Sequence, residues 1–356
     1  MHTEPPAARF GEINVVRRGP VNGAFAGQFD SEPRNATYNR GVTLIELAVV
    51  VGIVGILMAL LLPAIQSVRE SARLTTCQNN LRQSALAIQS FHGSHRQFPS
   101  LYNGTFIRHP ITQWDEYHFH SWQTAILPQL EQSAIYERLD LSMPATAPSN
   151  QLNVNIDLRV FICPSTNNYT HNIPDLAQRD PIVRGGTAAT SDYDAIGGVL
   201  RDRKSGGFGD RSYDFIDLGV WGKPRYDDDD DGTFDGLYRT RFGDVTDGLS
   251  NTLMIGEMAG RPDVYKRGEP DEPFAPGPDA PVGQPAWAIS GIFWAIAINE
   301  RHGVNDTNLQ GLYSFHRSGA NVALADGSVR LLSDSIVKKV LHGLATKAGN
   351  EVVLVD

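Results

Sequence analysis

Cysteine is nearly absent: Cys77 and Cys163 are the two in 356 residues. That scarcity excludes a small fold held together by a dense disulfide framework. Basic residues are in deficit as well, 31 Lys and Arg against 40 Asp and Glu, which leaves a formal net charge of −9. No Lys/Arg run compensates locally, so the electrostatic footprint of a nucleic-acid binder is missing. Two hydrolase motifs are also missing: the chain holds neither G-x-S-x-G nor H-E-x-x-H. Charge is absent altogether from one stretch, residues 47–62, LAVVVGIVGILMALLL. Extended to Val42 and Ile65, this segment exceeds the ~20 residues a membrane-spanning helix needs. A core helix of a soluble domain is rarely apolar on every face for so long.

Glu46 stands at the N-terminal edge of this run, where a carboxylate is costly unless paired. Its surroundings read Arg40-Gly41-Val42-Thr43-Leu44-Ile45-Glu46-Leu47. Cleavage after Gly41 would leave a free ammonium on Val42, one helical turn before Glu46, so the two charges would meet within a subunit or between neighbours. Arginines flank the apolar run on both sides (Arg34 and Arg40; Arg69, Arg73 and Arg82), so charge alone does not orient it.

The G-V-T-L-I-E-L string resembles the prepilin cleavage and methylation motif of type IV pilins and type II secretion pseudopilins. The resemblance implies cutting after Gly41 by a prepilin peptidase, methylation of the new N-terminus at Val42, and a role in assembly for Glu46, the fifth residue of the mature chain. It also implies an N-in, C-out orientation: inner membrane, single pass, with the head in the periplasm or outside. Val42 stands where Phe or Met is usual, and the leader, residues 1–41, is long for the class. An uncleaved signal anchor is the alternative reading of the same segment. Pro63 falls where helices of the family often carry a kink.

After Pro63, apolar residues Ile65, Val68, Ala72, Leu81, Ala85 and Ile88 recur at helical spacing, and His92-Gly93 and Pro99 mark the end. A helix from Thr43 to about Ser90 would be ~70 Å long, half of it in lipid and half laid on a sheet. The resulting organisation is a leader (1–41), a transmembrane helix (42–65), a helical stem (66–95) and a globular extracytoplasmic head (96–356). Within the head, residues 121–141 read as a helix broken at Pro128, and residues 160–165, VFICPS, as a short strand. Residues 245–257 read as an Asp247-Gly248 turn entering a strand, and the apolar run 287–298 as core. The segment NVALA-DG-SVRLL (321–332) reads as a hairpin with a type I′ turn at Asp326-Gly327. Ser333-Asp334 would then cap a C-terminal helix running to about Lys347, which Gly349 can end.

Four strings occur in order: C-x-N-N-L-R-Q (77–83), F-I-C-P-S (161–165), D-G-L-S-N-T-L-M-I-G-E (247–257), and His316 followed after nine residues by Asp326-Gly327. Together they resemble a large bacterial family with a prepilin-type N-terminus and a C-terminal His-X9-Asp-Gly motif, whose head is a domain of unknown function. The resemblance covers nearly everything from residue 41 onward. It implies an α+β, pilin-like fold: a long N-terminal helix packed on an antiparallel sheet, with inserted loops and a C-terminal helix.

Several residues are candidate sites. Asp227, Asp229, Asp231, Gly232, Thr233 and Asp235 fit positions one, three, five, six, seven and nine of a calcium loop, where hard oxygen ligands alternate around a glycine turn. Tyr238 occupies position twelve in place of the bidentate Glu, so the choice is between weak Ca²⁺ binding and a solvated acidic loop. His316 and Asp326 could meet across a hairpin, in a structural or assembly role. His118 and His120 would share one face of a strand but lack further ligands. Glu257 ends an otherwise apolar strand and is expected to be buried and paired with an Arg or with His316. Outside the cytoplasm, Cys77 and Cys163 either form a disulfide, closing a loop of roughly 86 residues for about 4 kcal/mol, or remain thiols. The expected protein is a non-enzymatic, pseudopilin-like subunit whose partners are the prepilin peptidase, the membrane and other pseudopilin subunits through the N-terminal helix, with no cofactor beyond the Ca²⁺ considered above. A membrane-tethered binding module for calcium, glycan or a protein is the second reading, and an enzyme using His316 the third.

Overall fold

A computed structural model describes residues 42–103, 106–108, 115–117, 120–143, 145, 147–166, 187–200, 215–221, 240–261, 264–267, 269–270, 286–288, 296–299, 303–308 and 311–349. The chain divides into two compact units, Met1–Met58 and Ala59–Asp356.

In the first unit the described residues begin one long helix, α1 (Leu44–His95). Its start is a capping box. Thr43 Oγ1 accepts from the Glu46 amide at 3.2 Å, and Glu46 Oε2 accepts from the Thr43 amide at 2.8 Å. The apolar side chains that follow are all exposed, and this helix is long and apolar enough to cross a membrane. The helix continues through Pro63.

In the second unit, α1 lies against a six-stranded sheet. The strands are β1 (Tyr193–Leu200), β2 (Phe215–Leu218), β3 (Leu253–Glu257), β4 (Ile296–Asn299), β5 (Gly319–Leu324) and β6 (Val329–Ser333), followed by helix α2 (Lys338–Ala345). The strand order is β4-β1-β3-β5-β6, with β2 paired to β1. The four strands β1, β3, β5 and β6 are antiparallel, and β4 adds one parallel pair at the edge. The fold is thus α+β and pilin-like.

Both faces of the sheet are covered, so β3 reads as the continuous apolar run LMIG before its terminal Glu. Along β5 the side chains alternate. Ala320, Val322 and Leu324 join Leu341 and Leu344 of α2, whereas Ala323 joins Leu81, Ala85 and Ile88 of α1. A separate core of Leu127, Ile135, Val154, Phe161 and Trp287 holds the lobe between α1 and β1.

Several sequence expectations need correction. The apolar stripe of the stem is split: Leu81, Ala85 and Ile88 are buried, but Ile65, Val68 and Ala72 are exposed, because the sheet covers α1 only from the Cys77 turn onward. Residues 160–165 are not a strand. Arg159–Phe161 form a 3-10 turn, and the Cys163 amide bonds to a side chain rather than to a neighbouring strand. The β5–β6 connection is not a type I′ turn. The Gly327 amide bonds to Leu324 O at 2.9 Å, and of the two motif residues only Gly327 has positive φ (85°). That is a type I turn over Ala325-Asp326 followed by a left-handed glycine, the three-residue hairpin alternative. A Cβ at Gly327 would also come within 2.7 Å of Gln89 on α1. Helix α2 starts at Lys338 behind Val337, not at a Ser333 cap, because Ser333 Oγ is used in a turn with Ser335. The break at Pro128 is as expected, with a helical turn at Trp122–Ala125 giving way to a 3-10 turn at Leu127–Leu130.

Candidate functional site

Cys77, Cys163, Glu257 and His316 converge. One ligand-type atom from each lies within 4.8 Å of all the others. Each side chain arrives from a different element. Cys77 is on the buried face of α1, one helical turn before Leu81. Cys163 follows the 3-10 turn, which α1 holds in place: Asn80 Nδ2 donates to Arg159 O at 3.2 Å and to Ile162 O at 2.9 Å. Glu257 ends β3. His316 lies just before β5, where its amide donates to Ser314 Oγ at 3.1 Å.

The four residues are buried: relative exposure is 0% for Cys77, Cys163 and Glu257, and 4% for His316. His316 Nε2 stands 3.7 Å from Cys163 Sγ and 3.6 Å from Glu257 Oε1, and its Nδ1 is 2.7 Å from Glu70 Oε1. Glu70 sits on α1 two turns before Cys77 and also faces Arg73 at 3.6 Å. The register that sets Val322 opposite Gly256 brings Asn321 beside Glu257, where its amide and Nδ2 donate to Oε2 at 2.6 and 3.1 Å. Among the described residues, Glu257 Oε1 has no hydrogen-bond partner. Gln78 of α1 in turn holds Asn321 Oδ1 at 3.2 Å. Asp192 receives the Cys163 amide at 2.7 Å and the Gly260 amide at 3.1 Å.

Electrostatics within this cluster are strongly perturbed. Burial works to lower the His316 pKa, but contacts with Cys163, Glu257 and Glu70 outweigh it and push it up to about 11. The Cys163 thiol is raised by its hydrogen bond with Cys77, by burial and by the Glu257 charge. Burial lifts Asp192 to about 6 against the amides that donate to it. The Tyr193 hydroxyl, interacting with Cys77, is raised well above its ordinary value, chiefly by burial. Two thiols, an imidazole and a carboxylate aimed at one point are a donor set suited to a transition metal.

The residues singled out from sequence fare differently. Cys77 and Cys163 are brought together, but as free buried thiols rather than a disulfide. Glu257 is buried and faces His316, as its place at the end of an apolar strand suggested. His316 and Asp326 do not meet, because the β5 strand separates them and a strand rises about 3.3 Å per residue. Asp326 is exposed at the turn, where its Oδ1 accepts from the Ser328 amide at 2.9 Å. His120 Nε2 is 2.9 Å from Met143 O; His118 lies outside the described residues. The acidic loop with Asp227, Asp229, Asp231, Thr233 and Asp235 also lies outside them, as does Gly41. Sequence reasoning missed the link between Cys77, Cys163 and Glu257, although each of the four motifs supplies one member of the cluster. It also missed the Thr43 capping box, which T-x-x-E spells out.

An α+β head on a long helix with an apolar first half defines a pilin-like, membrane-anchored class. Residues 37–62 match the prokaryotic N-terminal methylation motif, and residues 66–339 match the family described as "Protein of unknown function (DUF1559)". The second match covers most of the chain, which therefore belongs to that family. No curated protein and no solved structure matches. Motif and helix together identify a pseudopilin-like, prepilin-processed protein with a single-pass membrane anchor.

Proposed function

We propose that this chain is a non-enzymatic structural subunit of a type II secretion or pilus-like assembly in the inner membrane, with its head in the periplasm or outside. The observation that carries this reading is the methylation motif over residues 37–62, which contains Glu46 and the exposed apolar start of α1. The chain inserts, prepilin peptidase cuts it after Gly41, and helices of neighbouring subunits pack laterally with Glu46 against a neighbour's N-terminal ammonium. The non-enzymatic part is supported by His316, whose side chain is 3% exposed and engaged with Glu70, Glu257 and Cys163.

The capping box favours a second reading. Thr43 gives Glu46 a use within a single chain, so a membrane-tethered binding module that never polymerises is also compatible with the motif. Its ligand would be calcium at the acidic loop, a glycan or a protein. Mass spectrometry of the intact N-terminus, on protein from purified membranes, tests the first reading. A mature chain starting at Val42, with or without a methyl group, supports it. A chain that keeps residues before Gly41 shifts the assignment to the tethered module.

A further inference from the structure

We propose that Cys77, Cys163, Glu257 and His316 form a closed, structural Zn²⁺ site that clamps the stem helix α1 to the central strands of the head. The donor spacing fits. A tetrahedron with Zn–S of ~2.3 Å and Zn–N of ~2.0–2.1 Å has edges of roughly 3.3–3.8 Å. The His316 Nε2 distances to Cys163 Sγ and Glu257 Oε1 are 3.7 and 3.6 Å, and the whole set falls within 4.8 Å. A small inward movement of side chains closes such a set on one ion.

A second observation points independently to a ligand. Glu257 is 0% exposed, yet among the described residues its Oε1 has no hydrogen-bond partner, only His316 Nε2 facing it at 3.6 Å. A buried carboxylate oxygen without a partner is expensive, and a cation at the centre of the cluster removes that cost. A Cys77–Cys163 disulfide would not: it would use two of the four donors and leave Oε1 as it is.

The surrounding shell is also that of a metal centre. Metal-binding histidines ordinarily give their second nitrogen to a carboxylate, which fixes the ring and its tautomer. His316 Nδ1 does so to Glu70 at 2.7 Å. Asn321 fixes Oε2 of Glu257, and Asp192 fixes the backbone of Cys163. Two thiolates and an imidazole favour zinc over calcium or magnesium, which take oxygen ligands. With four protein donors and burial on every side, no coordination position is left for water or substrate, as in structural zinc sites. On binding, the two thiols and the Nε2–H of the protonated His316 ring each release a proton to solvent, and His316 coordinates as the neutral ring through Nε2.

The test uses the full chain, purified from membranes in detergent without chelator. Metal analysis is expected to give stoichiometric zinc, and alkylation after denaturation without reductant is expected to label both cysteines. A zinc-free chain with unlabelled cysteines and a mass lower by two hydrogens would overturn the proposal in favour of the disulfide. A zinc-free chain with free thiols that takes up no added Zn²⁺ would overturn it as well. Stoichiometric iron or copper would overturn the choice of metal. Glu70→Gln keeps an acceptor at a partly exposed position and leaves all four ligands intact. Its zinc dissociation constant should rise roughly 10–100-fold; an unchanged constant would remove Glu70 from the site.

Discussion

Glu46 has two physical uses, and a pair of substitutions separates them. In a single chain it completes the capping box with Thr43. In an assembly it would neutralise a neighbour's N-terminal ammonium. Glu46→Gln keeps an amide oxygen that can accept from the Thr43 amide, since Gln also serves at this capping position. What it loses is the charge. A carboxylate–ammonium pair at ~4 Å contributes from about 1 kcal/mol in water to about 4 kcal/mol at an effective dielectric of 20. That range converts to a roughly 5- to 1,000-fold loss in the association constant between subunits. Thr43→Ala does the reverse: it removes the cap at about 1 kcal/mol of helix stability and leaves the charge. The assay is site-specific photo-crosslinking between neighbouring helices in intact membranes, with N-terminal processing scored in parallel. Glu46→Gln should be inserted and cut normally but lose its ladder of crosslinked multimers, whereas Thr43→Ala should keep it. A wild-type ladder from Glu46→Gln would refute the intersubunit role and leave the capping box as the reason for Glu46.

Three further outcomes follow from the head. Leu81→Ala, at a site with no exposed surface between α1 and the sheet, should cost about 2–5 kcal/mol in denaturant unfolding; a loss under about 1 kcal/mol would mean the stem does not depend on that contact. Gly319→Ala should prevent folding or sharply lower the melting temperature, because Gly319 has φ 146° and a Cβ there would overlap the Leu332 carbonyl; a melting curve like that of the native chain would contradict the described register. Asp194 accepts from the Trp122 indole at 3.3 Å, and burial lifts its pKa to about 6, against about 3.9 for an unfolded Asp. A raised carboxylate pKa means the folded state holds the proton longer, so stability falls as pH rises from about 4 to about 6, by up to about 3 kcal/mol. Asp194→Asn should therefore gain on the native chain above pH ~6 and lose that advantage near pH ~4; parallel stability–pH curves would show that burial is not what perturbs this group.

The parts of the fold legible in the sequence are those in which the signal is local. The apolar helix needs only an unbroken run of uncharged residues. The β5–β6 hairpin needs two alternating runs around Asp326-Gly327, although these do not fix the turn type. A type I′ turn would make Asp-Gly the central pair, but the chain uses Gly327 one step later as the left-handed residue, where an added Cβ would meet Gln89 of α1. The stem stripe shows the same limit. Helical periodicity marks which residues share a face, not where along the helix a partner begins. Ile65 and Val68 therefore looked no different from Leu81, yet only Leu81 lies under the sheet.

The cluster was hidden for another reason. In the sequence its members suggest only pairs: Cys77 with Cys163, His316 with Asp326, Glu257 with His316. One of those pairs is kept apart by a full strand, and another is a contact without a bond. The useful signal lies in what each member leaves unsatisfied. A Glu at the end of a buried strand demands a counter-charge. A histidine with no hydrolase motif around it in the sequence points to a structural use, and two lone cysteines in a large domain have no framework to complete. Each is weak evidence alone, but all four sit inside motifs that also contain several of the residues positioning them. Asn80 and Gln78 follow Cys77 and hold, respectively, the Cys163 loop and Asn321. Asn321 follows His316 onto β5 and holds Glu257. Motifs so far apart in the chain that each position another's donor are better explained by one shared centre than by several separate pairs.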